Sequence, residues 1–99
     1  MLFRSYTTAK SAVIGFTRSL ARALGPDGIR VNCVTPGWVM TERQRTNWWT
    51  PEKGAANQAA QALKGEILPE DIAQMVLFLC SDVSRMCAGQ NFIIDAGTV

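Results

Sequence analysis

The chain opens with a run of apolar positions that predicts a helix over residues 5–24. Apolar side chains recur every three or four residues along this run; they are Ala9, Ala12, Val13, Phe16, Leu20, Ala23 and Leu24. Ile14 and Ala21 add apolar surface beside that stripe, so cover on two sides of the helix is expected. Gly25 and Pro26 predict its end, because glycine suits the position after a helix and proline cannot continue one.

Two shorter runs predict β-strands. Residues 29–34 alternate in polarity and are rich in β-branched side chains, and Pro36 and Gly37 mark their end. Residues 91–95 predict a second short strand. Loops that follow the carboxyl ends of parallel strands are where open α/β sheets bind ligands. The segment after Pro36 is therefore a candidate binding loop.

Two helices are predicted between these strands. Thr50 supplies a hydroxyl cap and the proline after it suits the first helical position, which predicts a helix over about 51–63. Pro69 opens a further helix that runs to about residue 80, with apolar side chains at helical spacing. Residues 38–50 are expected to be irregular or briefly helical, and residues 81–90 to form a loop.

The order helix, strand, helices, strand indicates an α/β fold. A strand, a helical crossover and a second strand form a right-handed βαβ unit with a parallel pair. Parallel sheets are normally buried on both faces, and two strands alone do not make a stable sheet. The strand at 29–34 has a second edge for which the chain offers no partner. Residues 1–99 are therefore expected to be a single, incomplete domain.

The composition is that of a small globular domain, with 99 residues, 47% of them apolar and 18% charged. Three cysteines, none in a Cys-x-x-Cys pair, and the absence of histidine argue against a disulfide framework and against a metal site. Free thiols indicate a reducing, cytoplasmic location. No apolar stretch approaches the roughly 20 residues of a membrane span, and the net charge of +2 gives no argument for nucleic acid.

The charge is unevenly distributed along the chain. Residues 1–45 hold seven basic and two acidic side chains, and residues 46–99 hold three basic and six acidic ones. Solvated helix faces are the simplest interpretation. A basic region beside a phosphate-bearing cofactor is the alternative.

Tyr6 and Lys10 are the first candidates for chemistry. Positions four apart lie on one face of a helix, so the phenol and the ammonium are expected side by side. A nearby cation favours the phenolate form of a tyrosine and so lowers the pKa of a phenol, and such a tyrosine can exchange a proton with a substrate hydroxyl near neutral pH. The alternative is a packed ring with a solvated charge beside it.

Three tryptophans lie close together after the first predicted strand, at Trp38, Trp48 and Trp49. Their rings either pack a lid-like segment onto the body of the protein or form a wall of a substrate pocket. An aromatic face in such a wall stacks on an apolar or sugar ring.

Taken together, these motifs resemble the C-terminal half of a short-chain dehydrogenase/reductase over nearly the whole chain. The resembling segments are residues 6–12 with the pattern Tyr-x-x-x-Lys, 15–21, 25–32 leading to Pro36-Gly37, 69–73, 78–82 and 90–97. Residues 37–42, with the following Gln44 and tryptophan pair, are similar to the aldose 1-dehydrogenase branch, as are residues 81–86.

This resemblance implies roles for particular residues. Tyr6 would be the catalytic acid/base, and Lys10 would assist it and hydrogen-bond the ribose of a nicotinamide cofactor. The resemblance also implies that Pro36 and Gly37 let the backbone approach the nicotinamide. It further implies that the backbone of Val39 meets the carboxamide, and that Thr41 meets the amide or phosphate region.

The implied activity is hydride transfer between NAD or NADP and a sugar or another secondary alcohol or carbonyl. A 3-oxoacyl-carrier-protein reductase-like enzyme and a non-catalytic oligomerisation module are the alternatives. The family's glycine-rich phosphate loop and catalytic serine are not among these 99 residues, so the N-terminal nucleotide-binding half is expected to be absent and the isolated chain inactive. Family members pair through the corresponding helix and last strand, which implies a homo-oligomer through residues 5–24 and 91–95.

Overall fold

The computed structural model describes the backbone of residues 2–99 and the side chains from residue 4 onward. Its helices and strands are, in chain order, α1 (Leu2–Leu24), β1 (Cys33–Pro36), α2 (Glu42–Asn47), α3 (Pro51–Ala60), α4 (Pro69–Leu79) and β2 (Asn91–Ile94). The predicted α/β order of elements is confirmed. In this described part of the chain, no helix combines the length and the apolar character that crossing a membrane requires.

β1 and β2 pair in parallel, as the sequence predicts. The N–H of Cys33 donates to the carbonyl of Gln90 at 2.9 Å, and the N–H of Gly37 donates to that of Ile94 at 2.8 Å. Both strands advance by four residues between these two bonds, which is the register of a parallel ladder. The described residues therefore hold a two-stranded parallel sheet, as expected for the C-terminal portion of a Rossmann-type doubly wound sheet.

The position of β1 differs from the prediction, because the strand begins at Cys33 rather than at residue 29. The preceding residues lie opposite a loop, not opposite β2. The carbonyl of Val31 accepts a bond from the N–H of Gly89 at 2.7 Å, and the Asn32 amide donates to the carbonyl of Cys87 at 2.9 Å. The β-branched pattern at 29–34 was therefore a wrong guide to the strand, whose limits are determined by its partner.

Contacts divide the chain into two compact units, which are described separately. The first unit is Met1–Cys33 with Phe78–Phe92, and the second is Val34–Leu77 with Ile93–Val99.

In the first unit, the least exposed face of α1 is not the predicted apolar stripe. Thr17 and Ala21 are buried, whereas Val13 and Phe16 on the predicted stripe are more than half exposed. A Cβ atom at Gly89 would lie 3.4 Å from the Cβ of Ala21, so the loop before β2 runs closely along this face. Only a small residue at position 21 permits that approach.

Arg30 holds the loop that follows α4 in the first unit. Its guanidinium donates to the carbonyls of Leu79 at 2.9 Å, of Ser81 at 3.3 Å and of Cys87 at 3.3 Å. These include a carbonyl at the C-terminal end of α4, where helical carbonyls lack partners within the helix. One planar side chain with five donors thereby satisfies three backbone acceptors.

The second unit has its own small core, in which Met40 and Ile67 are buried. Val39 forms an isolated parallel bridge with Ile67, and the N–H of Met40 donates to the Ile67 carbonyl at 2.8 Å. Gln61 is also buried, and its amide donates to the carbonyls of Leu63 at 2.9 Å and of residue 65 at 2.8 Å. A polar side chain thus organises the loop after α3.

A tight turn follows β2 in the second unit. The carboxylate of Asp95 accepts from the N–H of Gly97 at 2.9 Å and from that of Val99 at 3.1 Å. Ala96 between them has φ 56°, a left-handed conformation that L-residues with a Cβ rarely adopt. The N–H of Leu63 donates to the Ala96 carbonyl at 2.9 Å, which holds the turn against the loop after α3.

Replacing Arg30 by methionine is expected to destabilise the protein. The substitution removes three hydrogen bonds and leaves the Leu79 carbonyl without a donor, whereas Asn32 and Ser84 still donate to the Cys87 and Ser81 carbonyls. The loss is expected to cost about 2 kcal/mol in the free energy of unfolding. Chemical denaturation of the 99-residue polypeptide measures this change. Arg85→Met is the matched control, because the Arg85 side chain is exposed, and it should change the free energy of unfolding by less than about 0.5 kcal/mol. Equal effects of the two substitutions would contradict the role given to Arg30.

Candidate active site

Tyr6 and Lys10 lie one turn apart on α1, in the first unit. The ammonium nitrogen of Lys10 is 5.4 Å from the centroid of the Tyr6 ring, within the range of a cation–π interaction. The Tyr6 side chain is 63% exposed. The phenol is thus open to a reactant while a positive charge stands over its ring.

The residues predicted to meet a cofactor lie at the end of β1 and directly after it, in the second unit. Pro36 is the last residue of β1. At Gly37 a Cβ atom would lie 2.8 Å from the Cα and 2.9 Å from the Cβ of Asp95, and 3.0 Å from a methyl group of Ile67. Gly37 is therefore required by the close packing of its own loop, a reason that the sequence pattern did not indicate.

Val39 offers unused backbone groups. In a parallel bridge of this type the neighbouring residue makes the hydrogen bond, and here the N–H of Met40 makes it. Among the described residues, no group hydrogen-bonds to the N–H or the C=O of Val39. Backbone amide groups inside a fold normally have hydrogen-bond partners. The half-buried N–H and C=O of Val39 are therefore available to hydrogen-bond a ligand.

Thr41 caps α2. Its hydroxyl oxygen accepts from the N–H of Gln44 at 3.2 Å, the bond of a helix N-cap. A hydroxyl group has one proton to donate besides its acceptor sites. Capping therefore leaves Thr41 with a donor that a ligand can use.

Two of the three tryptophans line a common cavity of about 280 Å³ in the second unit. The indole N–H of Trp38 donates to the side chain of Gln44 at 2.8 Å, which fixes the ring. Trp49 packs beside Gly54, where a Cβ would lie 2.7 Å from the indole nitrogen. Trp48 does not line this cavity; it ends α2 and is 56% exposed.

Polar residues that sequence reasoning missed complete the cavity. They are Asn57 and Gln58 of α3 and Glu66 of the following loop. Glu66 forms a two-bond ion pair with Arg45, and this hydrogen bonding raises the pKa of Arg45. Both partners are nearly half exposed, so the pair contributes little to stability. The amide-rich face of the helix over 51–63 was the sequence signal that could have identified these residues.

The chain matches a family model described as enoyl-(acyl carrier protein) reductase over residues 3–99. It is 56% identical over 92 residues to a D-xylose 1-dehydrogenase of Caulobacter vibrioides, covering 93% of this chain and 37% of that protein. It is 48% identical over 93 residues to a probable galactose dehydrogenase of Rhizobium meliloti, covering 94% and 36%. The chain therefore spans little more than a third of the length of these curated relatives.

Solved structures resemble the chain closely. A 4-hydroxyisoleucine dehydrogenase complexed with NADH matches with a TM-score of 0.87 and 33% identity over 97% of this chain and 40% of that one. A hydroxysteroid dehydrogenase from Escherichia coli matches with a TM-score of 0.91 and 32% identity, with the same coverage of each chain.

Replacing Gly37 by alanine is expected to destabilise the second unit. The new methyl group would overlap the backbone of Asp95, which cannot move as a side chain can, and overpacking of this kind costs about 1–3 kcal/mol in the free energy of unfolding. Gly15→Ala is the matched control, since nothing lies within 4 Å of its Cβ position in α1. That control should stabilise the helix by about 0.5–1 kcal/mol. Denaturation curves that rank the two variants the other way round would refute the packing argument.

Proposed function

Because the chain belongs to the short-chain dehydrogenase/reductase family and corresponds to its C-terminal part, we propose that it supplies the proton-transfer residues of a nicotinamide-dependent oxidoreductase. Tyr6 serves as the acid/base and Lys10 as its cationic neighbour. The observation that supports this most directly is the Lys10 ammonium 5.4 Å from the centroid of an exposed Tyr6 ring.

The chemistry assigned to the pair is reversible proton transfer. In oxidation, the Tyr6 phenolate accepts the proton of a substrate hydroxyl group while a hydride leaves the carbon that bears this hydroxyl. Bound NAD or NADP supplies the acceptor for that hydride. The Lys10 ammonium, 5.4 Å from the ring centroid, places a positive charge beside the group that exchanges the proton. In reduction, Tyr6 returns the proton to the carbonyl oxygen.

Residues of this chain fit parts of such a cofactor. The ammonium of Lys10 has three donors for ribose hydroxyls. The unpartnered N–H and C=O of Val39 match a carboxamide, which both donates and accepts. Thr41 retains a hydroxyl proton for an amide or phosphate oxygen. Pro36 and Gly37 place the loop at the end of β1, where α/β sheets bind ligands.

We propose a sugar as the substrate class. Two relatives at 56% and 48% identity are named for D-xylose and galactose. The cavity of the second unit places the side chains of Trp38 and Trp49 beside amide and carboxylate groups, a combination suited to a ring with an apolar face and hydroxyl edges. Its volume of about 280 Å³ is near the lower end for ligand pockets, which favours a monosaccharide. Trp48 stays a predicted pocket residue.

An acyl thioester is the second candidate substrate. The matching family model is described as enoyl-(acyl carrier protein) reductase. A solved 3-oxoacyl-[acyl-carrier protein] reductase from Brucella melitensis matches with 35% identity and a TM-score of 0.86 over 93% of this chain and 34% of that one. The apolar lining of the cavity, which includes Met40, is compatible with a short acyl chain.

We also propose that the whole protein assembles with itself through α1 and β2. Val13 and Phe16 lie one turn apart on α1 and are 52% and 63% exposed, and Ile93 on β2 is 47% exposed. Neighbouring exposed apolar side chains such as those on α1 are typical of protein contacts.

A chimera tests the proposed chemistry. Residues of this chain replace the matching segment of the Caulobacter D-xylose 1-dehydrogenase, and the formation of NADH or NADPH from D-xylose is measured. Tyr6→Phe is expected to lower kcat/KM about a thousandfold, because it removes general acid–base catalysis, whereas the neighbouring Thr7→Ala should have little effect. The 99-residue polypeptide alone is expected to be inactive. More than a tenth of the activity surviving in Tyr6→Phe would exclude the assigned role, and a chimera that accepts only 3-oxoacyl thioesters would favour the second candidate.

Phe16→Asp is expected to weaken self-association. A carboxylate on the contact face of α1 has to be desolvated on assembly, so the association constant should fall at least about tenfold, or 1.4 kcal/mol. Analytical ultracentrifugation of the chimera measures this. Val83→Asp is the control, since Val83 is 81% exposed but lies outside α1 and β2. If both variants associate like the parent, α1 does not form the interface.

A further inference from the structure

Two arginines of α1 border a second cavity, which lies within the first unit and takes no part in the proposed chemistry. Arg18 and Arg22 are four residues apart and therefore share a face of the helix. With Ala21 and the loop at residues 88–90, they line a space of about 470 Å³. Arg18 lies eight residues beyond Lys10, about 12 Å along the helix axis.

Arg18 and Arg22 have no protein partner among the described residues, in contrast to Arg30 and Arg45. Arg30 donates to three carbonyls and Arg45 pairs with Glu66. Among the described residues, no ion pair or side-chain hydrogen bond involves Arg18 or Arg22. Like charges one turn apart on a helix repel each other. An anion between the two guanidinium groups would replace that repulsion by attraction to both.

The electrostatic setting favours an anion at this cavity. The first unit carries six basic and two acidic side chains, whereas the second unit carries four basic and six acidic ones. The two carboxylates of the first unit, on Asp27 and Asp82, do not line the cavity. The uneven charge of the sequence is therefore concentrated in the unit that holds Arg18 and Arg22.

The floor of the cavity is kept open by small residues. Ala21 stands between the two arginines, and the loop opposite contributes Ala88 and Gly89. Gly89 has φ 69°, and a Cβ there would meet the Cβ of Ala21 at 3.4 Å and the Cα of Arg18 at 3.9 Å. The Gln90 amide donates to the carbonyl of Ala88 at 3.2 Å, which braces the loop. Ala88 and Gly89 thus place no large side chain in the lining of the cavity.

We propose that Arg18 and Arg22 form a binding site for a phosphate group, either free phosphate or the phosphate of a small monoester. A guanidinium presents paired N–H donors that match phosphate oxygens in a two-bond contact. Two such groups approach one tetrahedral dianion from the same helix face. The cavity of about 470 Å³ also has room for a small organic group attached to the phosphate.

The test follows the backbone amides of Gly89 and Gln90 by ¹⁵N–¹H NMR of the 99-residue polypeptide during titration with sodium phosphate at constant ionic strength. These two amides lie in the cavity lining and so report local binding. Saturable shifts at both residues are expected, with a dissociation constant in the millimolar range. A parallel titration with phenyl phosphate distinguishes the two sources: tighter binding indicates a monoester site, and equal or weaker binding indicates a site for free phosphate.

Variants separate a built site from general attraction to a basic surface. Arg18→Gln/Arg22→Gln is expected to weaken binding at least tenfold, whereas Arg85→Gln removes a charge from the same unit outside the cavity and should change it less than twofold. Arg18→Lys/Arg22→Lys keeps the charge but loses the planar donor pairs, and is expected to weaken binding several-fold. Absence of saturable shifts at Gly89 and Gln90, or equal losses in the Arg85 and Arg18/Arg22 variants, would overturn the proposal.

Discussion

The parallel pairing of β1 and β2 is the constraint on which the rest of the described chain depends. Its register is set by the bonds from Cys33 to Gln90 and from Gly37 to Ile94. The first of these bonds positions the loop before β2. This loop packs on α1, and its Gln90 N–H donates to the side-chain oxygen of Asn32. The second positions the segment that begins at Gly37 and continues to the cap of α2. A ladder of two short strands thus determines where both candidate binding loops start.

Polar side chains hold loops that the small apolar core does not stabilise by itself. Among the described residues only Ala21, Met40 and Ile67 are buried hydrophobic positions, so apolar burial cannot by itself hold loops of this length. Arg30 and Gln61 instead donate to backbone carbonyls that have no partner within a helix or sheet. Removing a donor of this kind leaves an unpaired acceptor, which is why such residues matter more than their exposure suggests.

Local signals in the sequence predicted most of the elements and their order. Thr50 caps α3 through a bond from the N–H of Lys53, as its position before a proline indicates. Pro69 begins α4 as predicted. The pattern from Tyr6 to Lys10 predicted two neighbouring side chains on one helix face, and family recognition followed from motifs in order along the chain.

Features that depend on distant partners were not predictable in the same way. The observed strand β1 lies further along the chain than the predicted strand at 29–34, because pairing with β2, not propensity, sets the limits of the strand. The apolar stripe of α1 did not identify its packed face, since the buried positions are Thr17 and Ala21, and Ala21 lies against the loop at Gly89. The amides that line the cavity beside Trp38 come from α3, and the amide-rich sequence of that helix does not by itself show that they lie beside Trp38. Single-domain organisation stays a prediction, because contacts group the residues into two units.

The turn after β2 limits which residues can occupy position 96. Ala96 holds a left-handed backbone conformation that a methyl side chain tolerates only at a cost of about 1 kcal/mol. Glycine or asparagine would relieve that strain, whereas valine or isoleucine could not adopt the conformation without breaking the bonds to the Asp95 carboxylate. Sequence variation among natural homologues at this site should therefore be narrow and should exclude β-branched residues, even though no ligand contact is required to explain it.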